Sequence, residues 1–399
     1  MSDEIGTPAR PLRVCLLQPA LPKYRIPVFR EFAARPGIDL EVLYSDDEPV
    51  PSVEPDGFRA RKVESQLLLK SPRLLWSPAH ADVLRGNQYD VVIMGWNTRY
   101  LSLIPALVRA RTSRVATVLW GHGYSKTETN VRQMLRDRVG SLADAIIFYG
   151  RSACNRFRDR NPDARRLFVA RNALDQTEIA RCRDEALADP AALARFRAEH
   201  NLDRGPVLFF VSRLIRENRL DLLLDAVARL RPDFPGLRLV IVGGGPATQE
   251  LQAQTASLNL GDSVTFTGPI YEERRLADWF VCSDLFVYPR NIGLSLHHAM
   301  GYGLPVITSD DEAAWAPEVD ALRPFFNGMI YRDGDAEDLA RVIRLTLEDP
   351  TRVALMREQA LRSSCHEHTL SRMVDGLEEA ARSAFAAKHP RAGLAAQTA

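Results

Sequence analysis

The sequence is poor in cysteine, and the cysteines that it has are far apart. There are five of them, and none lies in a C-x-x-C pair: Cys15, Cys154, Cys182, Cys282 and Cys365. An odd, scattered set is typical of reduced thiols rather than of a disulfide framework. A zinc site needs clustered ligands, which the sequence does not offer. We therefore expect no metal site.

Long apolar runs are also missing. No run of about 18 apolar residues occurs, so we expect no membrane-spanning helix. The first residues, MSDEIGTPARPLRVCLL, contain acids before the first apolar run and no small-residue cleavage site. This start is not typical of a secretory signal, and together with the scattered cysteines it favours a cytoplasmic protein.

The net charge is close to zero, but its distribution is uneven. Residues 1–175 contain 27 Lys+Arg against 19 Asp+Glu, whereas the remainder contains 25 against 32. One interpretation is a set of solvated, arginine-rich helix faces. The other is that the first half meets an anionic partner, such as a phosphorylated substrate, a lipid headgroup or an acidic membrane surface. Nucleic acid is disfavoured, because the basic residues are not interleaved with aromatic ones as in a known binding module.

The pattern of apolar runs predicts two domains, as does the length of 399 residues. In the first half, strand-like runs alternate with helical stretches at 12–19, 38–46, 89–97, 114–123, 143–150 and 166–175. In the second half they recur at 206–214, 237–246, 263–270, 284–290 and 304–310. This alternation predicts parallel βαβ units, in which functional groups gather at the carboxyl ends of the strands.

The predicted fold class is therefore α/β, with two Rossmann-like domains that face each other across a cleft. The first domain is assigned to residues 1–175 and the second to 205–368. The charged, alanine-rich segment 176–204 indicates a helical connection rather than core. The helix predicted at 369–389 lies beyond the second set of strands and is a candidate to pack back on the first domain. Residues 390–399 are expected to form a frayed tail.

A glycine-rich run follows one strand of the second half. In VGGGP, residues 242–246, the glycines around Gly244 would allow the backbone to approach a phosphate. A dinucleotide fingerprint would instead require G-x-G-x-x-G in the first βα unit. Here the third spaced position is Thr248, in the middle of the second domain. A nicotinamide site is thus disfavoured, and a phosphate site stays open.

Arginines also follow the strands of the second half. Arg213 directly follows one strand and Arg219 begins the next helix, positions from which a guanidinium can clamp a diphosphate. Arg290 precedes a glycine turn, and His298 lies about one turn into the helix that begins there. Considered singly, each of these residues could equally be an ordinary surface residue. Together with the glycine run at 243–246, the segments 213–219 and 290–298 are expected at one sheet edge, which favours a single anion-sized crevice.

In the first half, WGHG places His122 between two glycines just after a strand. This histidine is a candidate acid, base or hydrogen-bond partner, with structural packing as the alternative. The loop after the first strand contributes candidate acceptor contacts, Lys23, Tyr24 and Arg25. The stretch RYLSLIPALVRARTSR, residues 99–114, is either an amphipathic contact with an anionic membrane or a buried Rossmann helix with solvated arginines.

Taken in order, the motifs of both halves form one pattern over about residues 12–350. They are LPKYRIPVFREFAARPGIDL, WGHG, VARNALD, VSRL, LDLLLDA, RLVIVGGGP, VTFTGPI, VYP and IGLSLHHAMGYGLPVITSD. This pattern resembles the retaining glycosyltransferases of family 4, which have the two-domain GT-B architecture. The resemblance implies a UDP- or GDP-type sugar donor, bound mainly by the second domain, and an acceptor bound mainly by the first. It also implies transfer with retention and no bound metal or other cofactor.

The resemblance assigns roles to single residues. The diphosphate-clamping arginine of the family falls on Arg213, and its histidine close to the reacting sugar falls on His122. The remaining donor contacts fall on Gly293, Leu294 and Ser295 for the phosphates and near Ile270 and Tyr271 for the base. An acceptor of this kind would be a glycan, a glycolipid or a lipid-linked saccharide.

Two departures from the family pattern concern charge. The usual pair of glutamates around the glycine turn is replaced by Arg290 and His298, and the usual lysine five residues after Arg213 is replaced by Asn218. Arg219 could supply the missing charge. We expect His298 to bind ribose hydroxyls in place of a carboxylate, and Arg290 to bring a positive charge that suits an acidic sugar or the diphosphate.

The adjacent His297 must point about 100° away from His298, and we interpret it as a packing residue. The favoured function is a transferase that recognises its donor differently from most of the family. The alternative is a catalytically inactive homologue that binds a nucleotide sugar and acts as a regulatory or partner subunit. In the first case the expected place of action is the cytoplasm, with peripheral contact at an inner membrane face.

Overall fold

The computed structural model describes residues 10–68, 74–124 and 129–390. Two compact units are present: the first comprises the chain up to Asn172 together with the segment from Leu370 onward, and the second comprises Ala173–Thr369. The predicted start at residue 1, the loop residues 125–128 and most of the predicted tail lie outside the described residues.

The strands of the first unit are β1 (Leu12–Gln18), β2 (Ile38–Tyr44), β3 (Arg59–Lys62), β4 (Gln66–Leu67), β5 (Leu75–Trp76), β6 (Val91–Gly95), β7 (Ala116–Gly121), β8 (Ala145–Phe148) and β9 (Leu167–Val169). Its helices are α1 (Ile26–Ala33), α2 (Ala79–Asp82), α3 (Leu103–Ala110), α4 (Asn130–Gly140) and α5 (Arg151–Arg160). Within the described residues, β4 and β5 pair antiparallel, and the other strands form one parallel sheet in the order β3-β2-β1-β6-β7-β8-β9.

The strand order decides which helices share a face of this sheet. The steps β6 to β7, β7 to β8 and β8 to β9 run in one direction across the sheet, and the step β1 to β2 runs in the other. Because such crossovers are right-handed, α3, α4 and α5 lie on one face and α1 lies on the opposite face.

The strands of the second unit are β10 (Val207–Val211), β11 (Arg238–Val242), β12 (Val264–Gly268), β13 (Leu285–Val287), β14 (Val306–Ser309) and β15 (Gly328–Tyr331). Its helices are α6 (Thr177–Leu187), α7 (Pro190–Glu199), α8 (Leu220–Leu230), α9 (Thr248–Ser257), α10 (Glu273–Val281), α11 (Ser295–Gly301), α12 (Ala336–Leu347) and α13 (Pro350–Arg362). The described strands form a parallel sheet in the order β12-β11-β10-β13-β14-β15.

The predicted α/β fold with two parallel, Rossmann-like sheets is confirmed. Strands such as β10, with the sequence VLFFV, are nearly continuous apolar runs because helices cover both faces of a parallel sheet. Strand β3, RARK, escaped prediction because it is an exposed edge strand made of charged residues. No described helix is both long enough and apolar enough to cross a membrane.

The last helix, α14 (Leu370–Lys388), belongs to the first unit and packs against α1 on the face of the sheet opposite α3 to α5. Its central residue Gly376 shows how close this packing is. A Cβ atom there would lie 2.5 Å from the carbonyl oxygen of Val169, so only glycine allows the helix to approach β9 this closely.

The segment 176–204 differs from its prediction. It is helical, as α6 and α7, but it forms part of the core of the second unit rather than a connection outside it. The side chains of Ile179, Cys182 and Ala186 are buried, and α6 packs against α10. The charged residues of α6 lie on its outer side. Because they dominate the composition of the segment, composition alone did not indicate the narrow apolar stripe on the inner side.

Candidate functional site

The candidate site of the second unit lies where the strand order of its sheet reverses. The chain builds β10, β11 and β12 in one direction, then returns to place β13 on the other side of β10. In open α/β sheets, ligands bind at the carboxyl ends of the strands beside such a switch point. Arg213 follows β10, and Arg290 with the glycine turn follows β13. The sheet thus brings these two predicted segments together.

The arginines after β10 differ in whether their charge is already neutralised. Arg216 pairs with Glu250 at 2.9 Å, and Arg219 pairs with Asp221 at 2.9 Å. Arg213 is exposed and forms no ion pair with any described residue. Of these three cations, Arg213 is therefore the one whose charge is available to an anion.

Arg219 does not supply the uncompensated charge expected of it. Its backbone has a φ of 53°, a left-handed conformation at the start of α8, which turns its guanidinium toward Asp221. The preceding Asn218 is buried and donates from Nδ2 to the carbonyl oxygen of Arg213 at 2.8 Å. An asparagine at this position thus fixes the backbone that carries Arg213 rather than adding a charge.

The glycines of the VGGGP run mainly allow close packing against the segment that carries Arg213. A Cβ at Gly243 would lie 1.9 Å from the carbonyl oxygen of Ser212, and one at Gly245 would lie 2.3 Å from that of Leu214. Gly244 has more room, since its nearest neighbour is Pro269 at 3.6 Å. Two of the three glycines are therefore required because this loop packs on the chain around Arg213.

Arg290 is engaged by two carboxylates that follow β14 and β15. Its Nε donates to Oδ2 of Asp311 at 3.0 Å and lies 3.5 Å from Oδ1 of Asp333. Burial acts to raise the pKa of Asp311, but the hydrogen bonds and charge of Arg290, together with backbone hydrogen bonds from Ala313 and Ala314, hold that pKa below its usual value. The positive charge expected here is present but compensated, because two acids face the one arginine.

His298 is held in a polar cluster that the sequence did not reveal. Its Nε2 lies 2.8 Å from Oε1 of Glu273, and the hydroxyl of Tyr302 donates to the same oxygen at 2.6 Å. The ring of Phe280 packs against both rings, with its centroid 4.6 Å from that of His298 and 4.3 Å from that of Tyr302. Burial, and then the bond to Glu273, raise the pKa of Tyr302.

Glu273 is a candidate functional residue that the sequence pattern did not indicate. It is the first residue of α10, and only 17% of its side chain is exposed. Its neighbour Glu272 is exposed, and nothing in the run YEERR distinguishes the two. The cluster therefore places a carboxylate beside position 298, although the residue at 298 is itself a histidine.

The glycine turn itself is open. Gly293, Leu294 and Ser295 are half-buried, and a Cβ at Gly293 would meet only Ala316, at 3.8 Å.

His297 lies two residues after Ser295. It is fully buried, and its ring centroid lies 5.2 Å from that of His368. The two adjacent histidines thus occupy different environments.

The segment after β12 carries the two residues expected near a base. Ile270 is half-buried, and Tyr271 is 93% exposed. A tyrosine ring with this exposure presents both faces to solvent and can stack on a planar ligand.

In the first unit, His122 directly follows β7 and is exposed. Its ring centroid lies 4.8 Å from that of Tyr149. The glycines on either side have structural reasons: a Cβ at Gly121 would lie 2.8 Å from Cβ of Trp96, and one at Gly123, whose φ is 69°, would lie 2.6 Å from the ring of Phe148. These glycines allow the chain to turn and leave His122 on the surface.

Arg25 does not lie on the surface as expected for an acceptor contact. It is only 6% exposed, and its guanidinium carbon lies 4.8 Å from the ring centre of Trp120 and 5.3 Å from that of Tyr149. Residues Lys23–Arg25 form a turn of 3₁₀ helix, in which successive side chains point about 120° apart. Lys23 is therefore exposed while Arg25 packs inward against the aromatic rings.

This difference gives a testable expectation. Replacing Arg25 by alanine should lower the free energy of unfolding by about 2 kcal/mol, because a desolvated cation–π contact and the packing of the side chain are lost. Lys23→Ala, two residues away and exposed, should change it by less than about 0.5 kcal/mol. Urea denaturation of both variants measures the difference. Equal effects would contradict the assigned burial.

The predicted stretch 99–114 contains α3. Its residues Leu103 and Leu107 are buried against the sheet, whereas Ile104 and Val108 are 39% and 53% exposed. The side of α3 that faces the sheet is therefore buried, as in the interpretation of this stretch as a Rossmann helix.

Comparison with known proteins identifies the unit that contains this candidate site. Residues 194–363, which include every strand end described above in the second unit, match the family model of glycosyl transferases group 1. The protein is a glycosyltransferase. The enzyme class expected from the sequence is thereby confirmed.

Among curated relatives, the glycosyltransferase is 26% identical over 310 residues to a GDP-mannose-dependent alpha-(1-6)-phosphatidylinositol monomannoside mannosyltransferase of Mycolicibacterium smegmatis, covering 75% of this chain and 78% of that one. It is also 26% identical over 359 residues to a D-inositol 3-phosphate glycosyltransferase of Geodermatophilus obscurus, covering 81% of this chain and 76% of that one.

Solved structures share the fold. Anabaena HepE, in a complex with UDP, superposes with a TM-score of 0.67 at 18% identity, covering 93% of this chain and 100% of HepE. The apo form of the lipopolysaccharide outer core galactosyltransferase WaaB gives a TM-score of 0.67 at 16% identity, covering 93% and 99%. The glycosyltransferase has the GT-B fold.

Proposed function

We propose that the protein transfers a hexosyl group, with retention, from a UDP- or GDP-type sugar to a saccharide or lipid-linked acceptor. The observation that carries the proposal is Arg213, an exposed cation with no described ion-pair partner, at the switch point of the unit that matches the family. A relative that depends on GDP-mannose and a solved structure that contains UDP support a nucleoside diphosphate sugar without fixing the base.

In this proposal Arg213 binds the diphosphate and the open turn at 293–295 lies against it. Charge accumulates on the diphosphate as the bond to the sugar breaks, so a fixed guanidinium favours the transition state over the ground state. Asn218 and the packed glycine loop hold the backbone of Arg213 in place before the donor arrives. The residues then supply leaving-group stabilisation, and we propose no metal in this role.

The cluster around Glu273 is proposed to bind the ribose of the donor. Ribose hydroxyls can donate to a carboxylate, and Glu273 provides one beside position 298, held by His298 and Tyr302. Ile270 and Tyr271, at the end of β12, are proposed to pack against the base. His298 would then orient the carboxylate rather than replace it.

The charges around Arg290 favour a neutral sugar. An acidic donor would need a cation that is not already neutralised, and Arg290 is opposed by both Asp311 and Asp333. Carboxylates and a guanidinium in one cluster can instead exchange hydrogen bonds with sugar hydroxyls. We therefore propose a neutral hexose, such as the mannose in the donor named for one relative, with Arg290 positioning the two acids.

The acceptor is proposed to bind the first unit near His122, which is exposed and follows β7. The names of the relatives include phosphatidylinositol and inositol phosphate acceptors, which supports a phosphorylated or lipid-linked acceptor. Lys23, exposed after β1, can contact such an anion. We propose that the enzyme works in the cytoplasm, at a membrane face when its acceptor is lipid-linked.

A panel of donors tests the proposal. UDP- or GDP-hexoses at about 100 times their dissociation constant should stabilise the protein by roughly 2.7 kcal/mol, seen as a shift of several degrees in the melting temperature. NAD and NADP should give no shift. Failure of every nucleoside diphosphate and every nucleotide sugar to stabilise the protein would contradict the proposed donor class.

Release of nucleoside diphosphate separates the enzyme from the inactive alternative. With the stabilising donor, a transferase releases nucleoside diphosphate faster when inositol phosphate or a phosphatidylinositol mannoside is added. A homologue that only binds nucleotide sugars would show the shift in melting temperature and no release.

A further inference from the structure

The positive charge of the first half is confined to one part of it. Residues 1–100 contain 13 Lys+Arg and 13 Asp+Glu, so they contribute no net charge. Residues 101–166 contain 13 Lys+Arg and only 5 Asp+Glu, a net charge of +8. This stretch contains α3, α4 and α5, the helices that share one face of the first sheet. The basic excess therefore marks one side of the first unit.

Helix α4 carries exposed apolar residues on this basic side. Val131 is 70% exposed, Met134 54% and Leu135 55%. Positions i, i+3 and i+4 lie on the same side of a helix, so these three side chains form one stripe. Isolated exposed apolar residues are ordinary, but a contiguous stripe on a helix marks an interaction surface.

Among the described residues of α4, exposed arginines border this stripe and the acid does not. Arg138 continues it by one turn and Arg132 flanks it; both are exposed, and neither forms an ion pair with a described residue. Asp137, the acid within α4, points inward: it is buried and accepts from Nε of Arg160 at 2.9 Å and from Gln133 at 2.7 Å. We call the set Val131, Arg132, Met134, Leu135 and Arg138 the α4 face.

The α4 face matches a partner that offers anions above an apolar layer. A protein partner of that composition would need acidic groups around an apolar centre, and the α4 face is a stripe on a single helix. Nucleic acid would use the arginines but leave the apolar stripe in water. A lipid bilayer with anionic headgroups accommodates both, since the arginines meet phosphates while the apolar side chains enter the acyl boundary.

We propose that the α4 face docks the protein peripherally on an anionic lipid membrane. The proposal assigns the surface to α4 rather than to residues 99–114 as a whole, because the inner half of α3 is buried. The docking proposal rests on the proposed function for one point, which is the reason for binding a membrane: docking brings a lipid-linked acceptor to the first unit.

Vesicle cosedimentation of the full chain tests the proposal. The wild-type protein should bind vesicles of phosphatidylglycerol and phosphatidylcholine, and bind pure phosphatidylcholine at least tenfold more weakly. Arg132→Ala/Arg138→Ala should lower the partition coefficient about tenfold or more, since each arginine near an anionic surface contributes about 1 kcal/mol. Val131→Ser/Met134→Ser/Leu135→Ser should lower it by at least a similar factor.

A matched control removes exposed apolar residues elsewhere. Leu187 and Leu355, in the second unit, are 51% and 56% exposed. Leu187→Ser/Leu355→Ser should bind vesicles as the wild type does. Absence of wild-type binding to anionic vesicles, equal loss in this control, or full binding by both α4 variants would overturn the proposal.

Two further measurements separate the other outcomes. If the apolar variant changed the elution volume on size exclusion while vesicle binding stayed unchanged, the α4 face would be a contact between copies, and the proposal would be overturned. Nucleoside diphosphate release with a water-soluble acceptor should be the same in all three variants and the wild type. Vesicle binding without any release would remove the proposed function and leave the docking surface standing.

Discussion

Replacing Arg213 by alanine should lower kcat/KM for the nucleotide-sugar donor by about 10²- to 10³-fold, the cost typical of removing one fixed donor to a developing anion. The reason is that Arg213 is the arginine of its segment whose charge is not committed to a described acid. Its neighbours Arg216 and Arg219 are paired with Glu250 and Asp221. Steady-state release of nucleoside diphosphate measures the effect.

Arg216→Ala is the matched control. It removes the same kind of side chain three residues away, and Arg216 is also exposed, with 82% of its side chain accessible. We expect a change of less than about threefold, because an exposed ion pair contributes little. Arg213→Lys should recover only part of the loss, since an ammonium lacks the bidentate geometry of a guanidinium. Equal losses in Arg213→Ala and Arg216→Ala would contradict the assignment.

Exchanging Glu273 and His298 should restore donor use that either single replacement removes. His298→Glu introduces a carboxylate at position 298, yet it would place that carboxylate against Glu273, whose Oε1 lies 2.8 Å from the imidazole nitrogen in the wild type. Two carboxylates at this separation repel or share a proton. Glu273→His would instead leave two imidazoles and no carboxylate to accept hydrogen bonds from the ribose hydroxyls. Each single variant should raise KM for the donor about tenfold or more.

The double variant Glu273→His/His298→Glu keeps one carboxylate and one imidazole in contact. We expect its KM to return to within about threefold of the wild-type value, a coupling of at least about 2 kcal/mol between the two positions. Glu272→Gln serves as the control, since Glu272 is exposed beside Glu273 and should leave KM unchanged. Additive losses in the double variant, with melting temperatures near the wild-type value, would remove Glu273 from the donor site.

The strands and the location of the site could be predicted because both follow from local patterns. Buried parallel strands are apolar runs, and their carboxyl ends meet at one edge whatever the loops contain. Arg213 and the turn at 293–295 were found in this way. The same logic placed His122 at the end of β7.

Pairing between distant residues could not be read from the sequence. Asp311 lies 21 residues from Arg290, and Glu273 lies 25 residues before His298. Which acid meets which base depends on where α10 and the loops after β14 and β15 lie in space. For this reason the sequence pattern indicated neither the acids that face Arg290 nor the role of Glu273.

The inward position of Arg25 depends on a smaller effect. A single 3₁₀ turn after β1 sends neighbouring side chains in different directions, and no spacing rule announces such a turn in LPKYRIP. An arginine among aromatic rings then replaces the apolar residue that a buried position normally contains. Buried cations of this kind are invisible to patterns based on hydrophobicity.

Calorimetric titration of UDP and GDP into the full chain tests the central claim most directly, because it measures the diphosphate site without acceptor or turnover. At least one of the two nucleotides should bind the wild type and Arg216→Ala with the same dissociation constant, and bind Arg213→Ala at least tenfold more weakly. Binding of neither nucleotide by the wild type, or the same dissociation constant for Arg213→Ala as for the wild type, would contradict a donor site at the β10–β13 switch point.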